Sequence, residues 1–203
     1  MEITSRSPGR PRSERARRAI LDAAYAQLAA HGFADLSIEG IAAAAGVSKQ
    51  TIYRWWPSKA EVVLEAMLDR AGVLVPPVDT GVLEDDLRAF LETTFAAAEP
   101  TLIRVLTGLM AQATLDPAFG RVFNERFLAA RRDILRELLE RGVARGELPA
   151  GHDLDVRVDA VYGLLWYRLL VGHRPLDSAT ARELTELVLG GQDASTRPVS
   201  KRV

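Results

Sequence analysis

The sequence predicts an all-α fold of about nine helices, in which an N-terminal three-helix domain precedes a C-terminal helical bundle. Apolar residues recur at intervals of three and four along most of the chain, which is the period of an amphipathic helix. No segment alternates apolar and polar residues with the period of two that a half-buried strand requires. Serines that cap helices, and glycines and prolines that end them, divide the pattern into separate elements.

The chain begins with a segment that has no apolar periodicity. Residues 1–12 contain two prolines and a glycine, and they predict a flexible basic arm. Ser13 then caps a long helix whose apolar face repeats until Gly32. A glycine at that point predicts a left-handed end to the helix.

Two short helices follow, joined by a tight turn. Ser37 caps the first helix, which ends at Gly46, and Ser48 caps the second, which continues to Trp55 before Pro57 ends it. Glycine suits position 46 because the turn needs a positive φ that a Cβ would oppose. This arrangement predicts a helix-turn-helix motif.

The remaining elements are also predicted helices. Ser58 caps one that ends at a Gly- and Pro-rich break over residues 72–81, and Pro100 opens another. The segment 155–171 is apolar nearly all round from Ala160 onward, so it must be covered on every side. We expect one face in the core and the other against a second copy of the chain. The other stripes lie over residues 87–95, 119–138 and 178–189, and a disordered tail is predicted over 191–203.

The composition excludes several classes of function. With 203 residues, 48% apolar and 26% charged, the chain is globular and long enough for a substantial core. It has no cysteine and three widely separated histidines, so we expect no metal site and no cofactor. A glycine-rich phosphate loop and a nucleophile motif are both missing, so we expect no enzyme and no catalytic residue. Without a secretory signal or a bilayer-length apolar run, the prediction is a soluble cytoplasmic protein with no membrane partner.

The charge is concentrated at one end. Residues 1–18 hold six arginines and two glutamates, whereas the formal net charge of the whole chain is −1. A basic end on a mildly acidic body favours a polyanion as partner, although a solvated charged tail has the same composition.

Residues 20–64 carry a spaced pattern of small, apolar, hydroxyl and basic side chains: Gly32, Ser37, Ile41, Ala42, Gly46, Val47, Ser48, Thr51, Tyr53, Trp56 and Lys59. This run resembles the N-terminal domain of the TetR family of bacterial transcriptional regulators. The resemblance implies a helix-turn-helix DNA-binding domain over 13–60, a ligand-binding and dimerisation domain over 61–190, and double-stranded DNA as a partner.

Side chains of the second short helix suit the edges of bases. A helix of this length fits the major groove, where Gln50 can pair with adenine and Arg54 with guanine. Lys49 can contact either a base or a phosphate. Ahead of the first helix, Arg10 and Arg12 can enter a narrow minor groove, or they supply only non-specific attraction.

Contacts to phosphate are expected from hydroxyl and ammonium groups at helix N-termini. The three cap serines also have a purely structural explanation, because they cap helices with or without DNA. Trp55 either faces DNA or fills the groove between helices, whereas Trp56 is predicted core. The resemblance implies DNA-backbone contacts for two of the phosphate candidates, Tyr53 and Lys59. The full set of phosphate candidates is Ser37, Ser48, Thr51, Tyr53 and Lys59.

The second half of the chain matches the family only loosely. The resemblance implies an unidentified small-molecule effector and a homodimer formed through the last two helices, of which residues 158–172 resemble the first. Arg168 either pairs with an acid across the dimer or binds an anionic effector. Candidates for an effector pocket, each also consistent with plain core packing, are Phe95, Met110, Phe123, Phe127, Tyr162 and Trp166.

The expected function is therefore a homodimeric repressor that binds a palindromic operator and is released by a small-molecule effector. The alternative is a ligand-independent DNA-binding regulator that is controlled by its abundance or by a protein partner. A saturable effect of a small molecule on operator affinity distinguishes the two.

Overall fold

The computed structural model describes residues 10–70, 78–149 and 153–190, with side chains from residue 13 onward and without that of Arg70. Every regular element within these ranges is helical, which confirms the all-α prediction. A single π-helical segment, Asn124–Ala129, accompanies the following α-helices: α1 (Arg10–Asp35), α2 (Ile38–Ala45), α3 (Lys49–Tyr53), α4 (Lys59–Arg70), α5 (Leu83–Ala96), α6 (Pro100–Leu115), α7 (Pro117–Phe123), α8 (Ala130–Ala144), α9 (Leu154–Val171) and α10 (Ser178–Leu189).

The first helix begins earlier than predicted. It starts at Arg10 rather than after Ser13, so it includes the last three residues of the arm predicted over 1–12. Pro11 is tolerated there because N–H groups in the first turn of a helix have no intrahelical partner. The regular part of α1 ends at Gly32 (φ 79°, ψ 177°), which confirms a positive φ at this glycine. The rest of the arm and the predicted C-terminal tail lie outside the described residues.

The long helix predicted over residues 119–138 is present, with one irregularity. Asp116 caps α7 by accepting hydrogen bonds from the N–H groups of Ala118 and Phe119 at 3.0 and 3.2 Å. The helix then passes through the π-helical segment into α8 without a break. A π-helical turn is wider than an α-helical one and shifts the register of the faces, yet Phe127 within it stays buried.

One compact unit contains α1 to α4 together with α6 and α7. Helix α1 packs against α2, α4 and α6, and it buries Ile20 and Leu28 along its inner face. Glycine at position 108 lets α6 approach α1 closely, since a Cβ there would lie 2.6 Å from the Cβ of Phe33. A larger residue at 108 therefore requires this pair of helices to separate.

The second unit contains α5 with α8, α9 and α10. Within it, Asp86 in the first turn of α5 is fully buried. Its Oδ1 accepts hydrogen bonds from the N–H and the hydroxyl of Thr80, both at 2.7 Å, and Arg145 lies 3.5 Å from Oδ2. Burial acts to raise the pKa of Asp86, but the hydrogen bonds from Thr80 and the charge of Arg145 outweigh it and hold that pKa below its usual range. The cluster ties the segment before α5 to the end of α8.

These two units follow packing rather than chain order, because residues 100–125 belong with α1 to α4. The functional division at residue 60 stays a prediction. No helix in the described part of the chain has the length and apolarity to cross a lipid bilayer.

Candidate nucleic-acid interface

Helices α2 and α3 form the helix-turn-helix, and local capping holds each end of the turn. Ser37 caps α2 by accepting a hydrogen bond from the N–H of Gly40 at 3.1 Å. Gly46 ends α2 in the left-handed region (φ 65°, ψ 34°), as predicted. The chain then reverses, and the N–H of Val47 donates to the carbonyl of Ala42 at 3.0 Å.

Hydroxyl groups organise the start of α3. Ser48 caps this helix by accepting a hydrogen bond from the N–H of Thr51 at 3.3 Å, and the two hydroxyl oxygens lie 3.0 Å apart. The predicted cap is confirmed. A phosphate that approached these hydroxyls would meet a pair already oriented towards each other.

The two faces of α3 differ sharply in burial. Ile52 is fully buried and anchors the helix to the unit, whereas Lys49, Gln50, Tyr53 and Arg54 are exposed in and just after the helix. The structure thus brings the four larger polar candidates to one accessible region. A short helix with an anchored apolar side and an exposed polar side can lie in a DNA groove without unfolding.

Two tryptophans follow α3 with different environments. Trp56 is 2% exposed, which confirms its predicted place in the core. Trp55 is half-buried, and its ring meets that of Trp56 edge to face with the centroids 5.4 Å apart. Trp55 therefore packs against the core and keeps part of its surface accessible.

Lys59 has a structural role that the sequence analysis missed. Its Nζ donates hydrogen bonds to the carbonyls of Phe33 and Leu36, both at 2.9 Å, and lies 4.6 Å from the centroid of the Phe33 ring. Burial lowers the pKa of Lys59, partly opposed by the charge of Asp35. The ammonium joins the start of α4 to the end of α1 and to the residue that follows it, and these two bonds use two of its three N–H groups.

Glu39 is a second residue that the sequence analysis missed. Its Oε1 lies 2.8 Å from the Nζ of Lys49, so an ion pair bridges the first turns of α2 and α3. The hydrogen bond between them lowers the pKa of Glu39 and raises that of Lys49. The two residues are ten positions apart across a turn, a spacing that no helical periodicity would have selected.

Part of the predicted basic end is neutralised within the protein. Arg17 forms an ion pair with Glu65, and Arg18 lies 3.1 Å from Asp69, both of which are residues of α4. These two arginines therefore hold α1 against α4. The side chains of Arg10 and Arg12, predicted for the minor groove, lie outside the described residues.

The six candidates for an effector pocket are distributed over both compact units. Phe95, Phe127, Tyr162 and Trp166 belong to the second unit, and Met110 and Phe123 belong to the first. Four of the six are buried, whereas Met110 and Trp166 are half-buried.

Tyr162 has a defined polar partner in the second unit. Its hydroxyl donates to the carbonyl of Arg131 at 2.7 Å, and burial raises the pKa of Tyr162 to about 12, against the opposing charge of Arg131. In this structure the side chain therefore takes part in core packing between α8 and α9.

Arg168 is used within its own chain. Its Nη1 donates to the carbonyl of Pro175 and to the hydroxyl of Thr180, both at 2.6 Å. These bonds tie the last turn of α9 to the connection that follows it and to the first turn of α10. The guanidinium thus has partners within its own chain, and the acid across the dimer and the anionic effector that the sequence suggested stay predictions.

The apolar character of α9 continues onto its surface. Val156, Tyr167, Leu170 and Val171 are exposed, with Val156 at 63% and Tyr167 at 58%. Their spacing places them on one stripe of the helix, and Leu187 on α10 is also 69% exposed. The helix that looked apolar all round is therefore covered by its own chain on one face only.

Among the described residues, no group of His, Asp and Glu side chains could hold a metal ion.

Two protein-family descriptions match parts of this chain. The family description "Bacterial regulatory proteins, tetR family" matches residues 20–66, and "Tetracyclin repressor-like, C-terminal domain" matches residues 77–188. The chain belongs to the TetR family.

Relatives in the TetR family match this chain over nearly its whole length. The uncharacterized HTH-type transcriptional regulator YdeS of Bacillus subtilis is 35% identical over 93% of this chain and 95% of its own. The DNA-binding transcriptional repressor TetR of Mycobacteroides abscessus is 36% identical over 88% of this chain and 94% of its own.

Solved structures show the same TetR fold. The TetR family transcription regulator SCO0332 superposes with a TM-score of 0.70 and 31% identity, covering 87% of this chain and 97% of its own. FadR from Bacillus subtilis, in complex with stearoyl-CoA, has a TM-score of 0.68 and 21% identity over 86% of this chain and 98% of its own.

Proposed function

We propose that this TetR-family chain is a repressor that binds a palindromic operator as a homodimer and releases it when a small-molecule effector binds. The exposed region of α3 carries the DNA-binding part of this proposal. Lys49, Gln50, Tyr53 and Arg54 are accessible there, on a helix that the buried Ile52 holds in place. Repression is supported by the relative from Mycobacteroides abscessus, which is named a repressor.

The candidate side chains have distinct roles in this proposal. Gln50 reads adenine and Arg54 reads guanine in the major groove, while Arg10 and Arg12 follow the minor groove. Trp55 borders the phosphate backbone with its accessible edge. Phosphate contacts come from Ser37, Ser48, Thr51, Tyr53 and the remaining N–H of Lys59.

The apolar stripe on α9 supports the homodimer. An exposed row of Val156, Tyr167, Leu170 and Val171 is costly in water, and an identical row on a second copy would cover it. Gly163 lies in the same stretch with open space where its Cβ would be, so a partner helix could approach closely. A two-fold dimer predicts half-sites about 34–36 Å apart, or a multiple of that spacing.

Effector control rests on the family and on its ligand-bound members. The solved FadR structure contains stearoyl-CoA, so this fold can hold a small molecule in that protein. For this chain we propose a pocket in the C-terminal part lined by some of the six candidate residues. The effector must bind the released conformation more tightly than the DNA-bound one, or it would shift no population.

A randomised duplex library tests the function. Full-length protein is incubated with the library and random competitor at physiological salt, bound duplexes are sequenced over several rounds, and affinity is measured by fluorescence anisotropy. We expect enrichment of an inverted repeat. The exposed double variant Gln50→Ala/Arg54→Ala should fold normally and lose this enrichment, because each bidentate base contact contributes about 1–3 kcal/mol.

The outcomes separate the possible functions. Enrichment of no sequence by the wild-type protein would refute the repressor proposal. Enrichment that no small molecule reverses in a broad screen would favour the ligand-independent regulator.

A further inference from the structure

The ion pair between Glu39 and Lys49 places an acidic side chain on the face proposed to meet DNA. Glu39 lies in the first turn of α2 and Lys49 in the first turn of α3, and their side chains are 65% and 52% exposed. Two exposed residues that pair across the helix-turn-helix are not needed for its core. The neighbouring exposed side chains Gln50 and Arg54 are the proposed readers of bases.

A carboxylate on this face opposes non-specific binding. DNA attracts proteins mainly through its phosphates, and each ammonium that contacts a phosphate releases counterions. While Glu39 holds the Nζ of Lys49 at 2.8 Å, the carboxylate balances the charge of that ammonium. If a phosphate took the ammonium away, Glu39 would remain unpaired beside a polyanion.

We propose that Glu39 is a sequence-discriminating residue, which withholds Lys49 from phosphates unless the major groove offers Glu39 the amino group of a cytosine. Carboxylates accept hydrogen bonds from cytosine N4, the donor that a glutamate reads in this groove. At a cognate site the cytosine takes the place of Lys49, and the freed ammonium binds a phosphate. At other sites the ion pair persists and this phosphate contact is lost. The inference rests on the proposed DNA-binding function.

The variant Glu39→Gln frees Lys49 on every sequence. Affinity for a random duplex should therefore rise, and the dependence of log K on log salt should become steeper by about 0.9. That slope predicts a gain roughly three- to four-fold larger at 50 mM than at 200 mM salt. In selections from a randomised library, a cytosine preferred at one position of each half-site should weaken.

Glu84→Gln is the matched control. Glu84 also lies in the first turn of its helix, is 62% exposed and pairs with a basic side chain, Arg88, at 3.7 Å. The substitution Glu84→Gln changes the net charge by the same amount as Glu39→Gln, but in the other compact unit of the chain. A second variant, Glu39→Gln in a Lys49→Gln background, removes the ammonium that the first variant frees.

The results decide between the possibilities. The inference is supported if Glu39→Gln steepens the dependence of log K on log salt for a random duplex and loses the cytosine preference. Glu84→Gln should do neither, and the Lys49→Gln background should abolish the steeper salt dependence. It is overturned if the wild-type protein enriches an operator and Glu39→Gln keeps the same base preferences, or keeps the wild-type salt slope on a random duplex. If the wild-type protein enriches nothing, the proposed function itself fails.

Discussion

Replacing Lys59 by methionine removes the ammonium while keeping most of the length and apolar volume of the side chain. The lost interactions are the two hydrogen bonds at 2.9 Å to the carbonyls of Phe33 and Leu36, and the contact with the Phe33 ring. Hydrogen bonds from a charged donor contribute about 1.5–3 kcal/mol each. Since Lys59 is half-buried, we discount their sum and expect the free energy of unfolding to fall by about 2–3 kcal/mol.

Urea unfolding measures this effect. With a denaturant dependence of about 2–3 kcal/mol per molar urea, the midpoint should fall by about 1 M. Both proteins must be compared at one concentration, because a dimer gains apparent stability as concentration rises. Lys49→Met is the control: it removes an ammonium of an exposed ion pair, so its urea midpoint should move much less than that of Lys59→Met.

The same variant tests the DNA contact implied by the family resemblance. If the third N–H of Lys59 also binds a phosphate, the salt slope of operator binding falls by about 0.9 under conditions where both proteins are folded. An unchanged urea midpoint in Lys59→Met would show that these two hydrogen bonds do not stabilise the fold. Loss of stability with an unaltered salt slope would instead remove Lys59 from the set of DNA contacts.

Three further predictions concern packing, charge and assembly. Gly108→Ala places a Cβ 2.6 Å from the Cβ of Phe33, so it should lower the free energy of unfolding by about 1–3 kcal/mol in urea titrations. Asp86→Asn should cost about 1.5–3 kcal/mol at neutral pH by weakening the acceptor for Thr80. Because the pKa of Asp86 is lowered in the folded state, its stabilisation is present above the ordinary value of about 3.9 and is lost as pH falls through the folded value, where wild type and variant should converge. Tyr167→Glu should convert the proposed dimer into a monomer in sedimentation experiments, because it places a charge in the apolar stripe of α9.

Two of these predictions have a control variant, and the third has a pH dependence that would contradict it. A Phe33→Gly background removes the Cβ and Cγ that the new methyl group would meet, so it should reduce the cost of Gly108→Ala. An unchanged cost would place the clash elsewhere. For Asp86→Asn, a difference from wild type that stays constant down to pH 2 would contradict the linkage. Leu115→Glu alters an apolar residue that is 80% exposed in the other unit, so it should leave the assembly intact. If Tyr167→Glu and Leu115→Glu both produced a monomer, that result would argue against a specific interface on α9.

Features set by neighbours within about four residues were predictable from the sequence. Ser37, Ser48 and Ser58 each accept a hydrogen bond from an N–H group three residues ahead, and Gly46 adopts the positive φ that its turn requires. Capping and turn geometry are local, so the residue types alone indicate them. In α5 the buried face followed from the 3.6-residue period for the same reason, because the whole stripe predicted over residues 87–95 is buried.

The start of α1 could not be predicted reliably from the same rules. Ser13 has the residue type of a cap, yet the helix begins at Arg10, because a proline at position 11 is as compatible with a first turn as with an arm. Two assignments satisfied the local chemistry, and the choice between them depended on the rest of the chain.

The sequence by itself determined that this protein is all-α and that it carries a helix-turn-helix near its N-terminus with side chains that suit DNA. Only the tertiary structure decided that Lys59 binds the carbonyls of Phe33 and Leu36, that Glu39 pairs with Lys49, and that Arg168 turns back to its own chain. Except for Arg168, these partners are ten or more residues apart. The long, flexible side chains of lysine, arginine and glutamate can reach many partners. Which partner such a side chain binds depends on how the helices pack rather than on the residues beside it in the sequence.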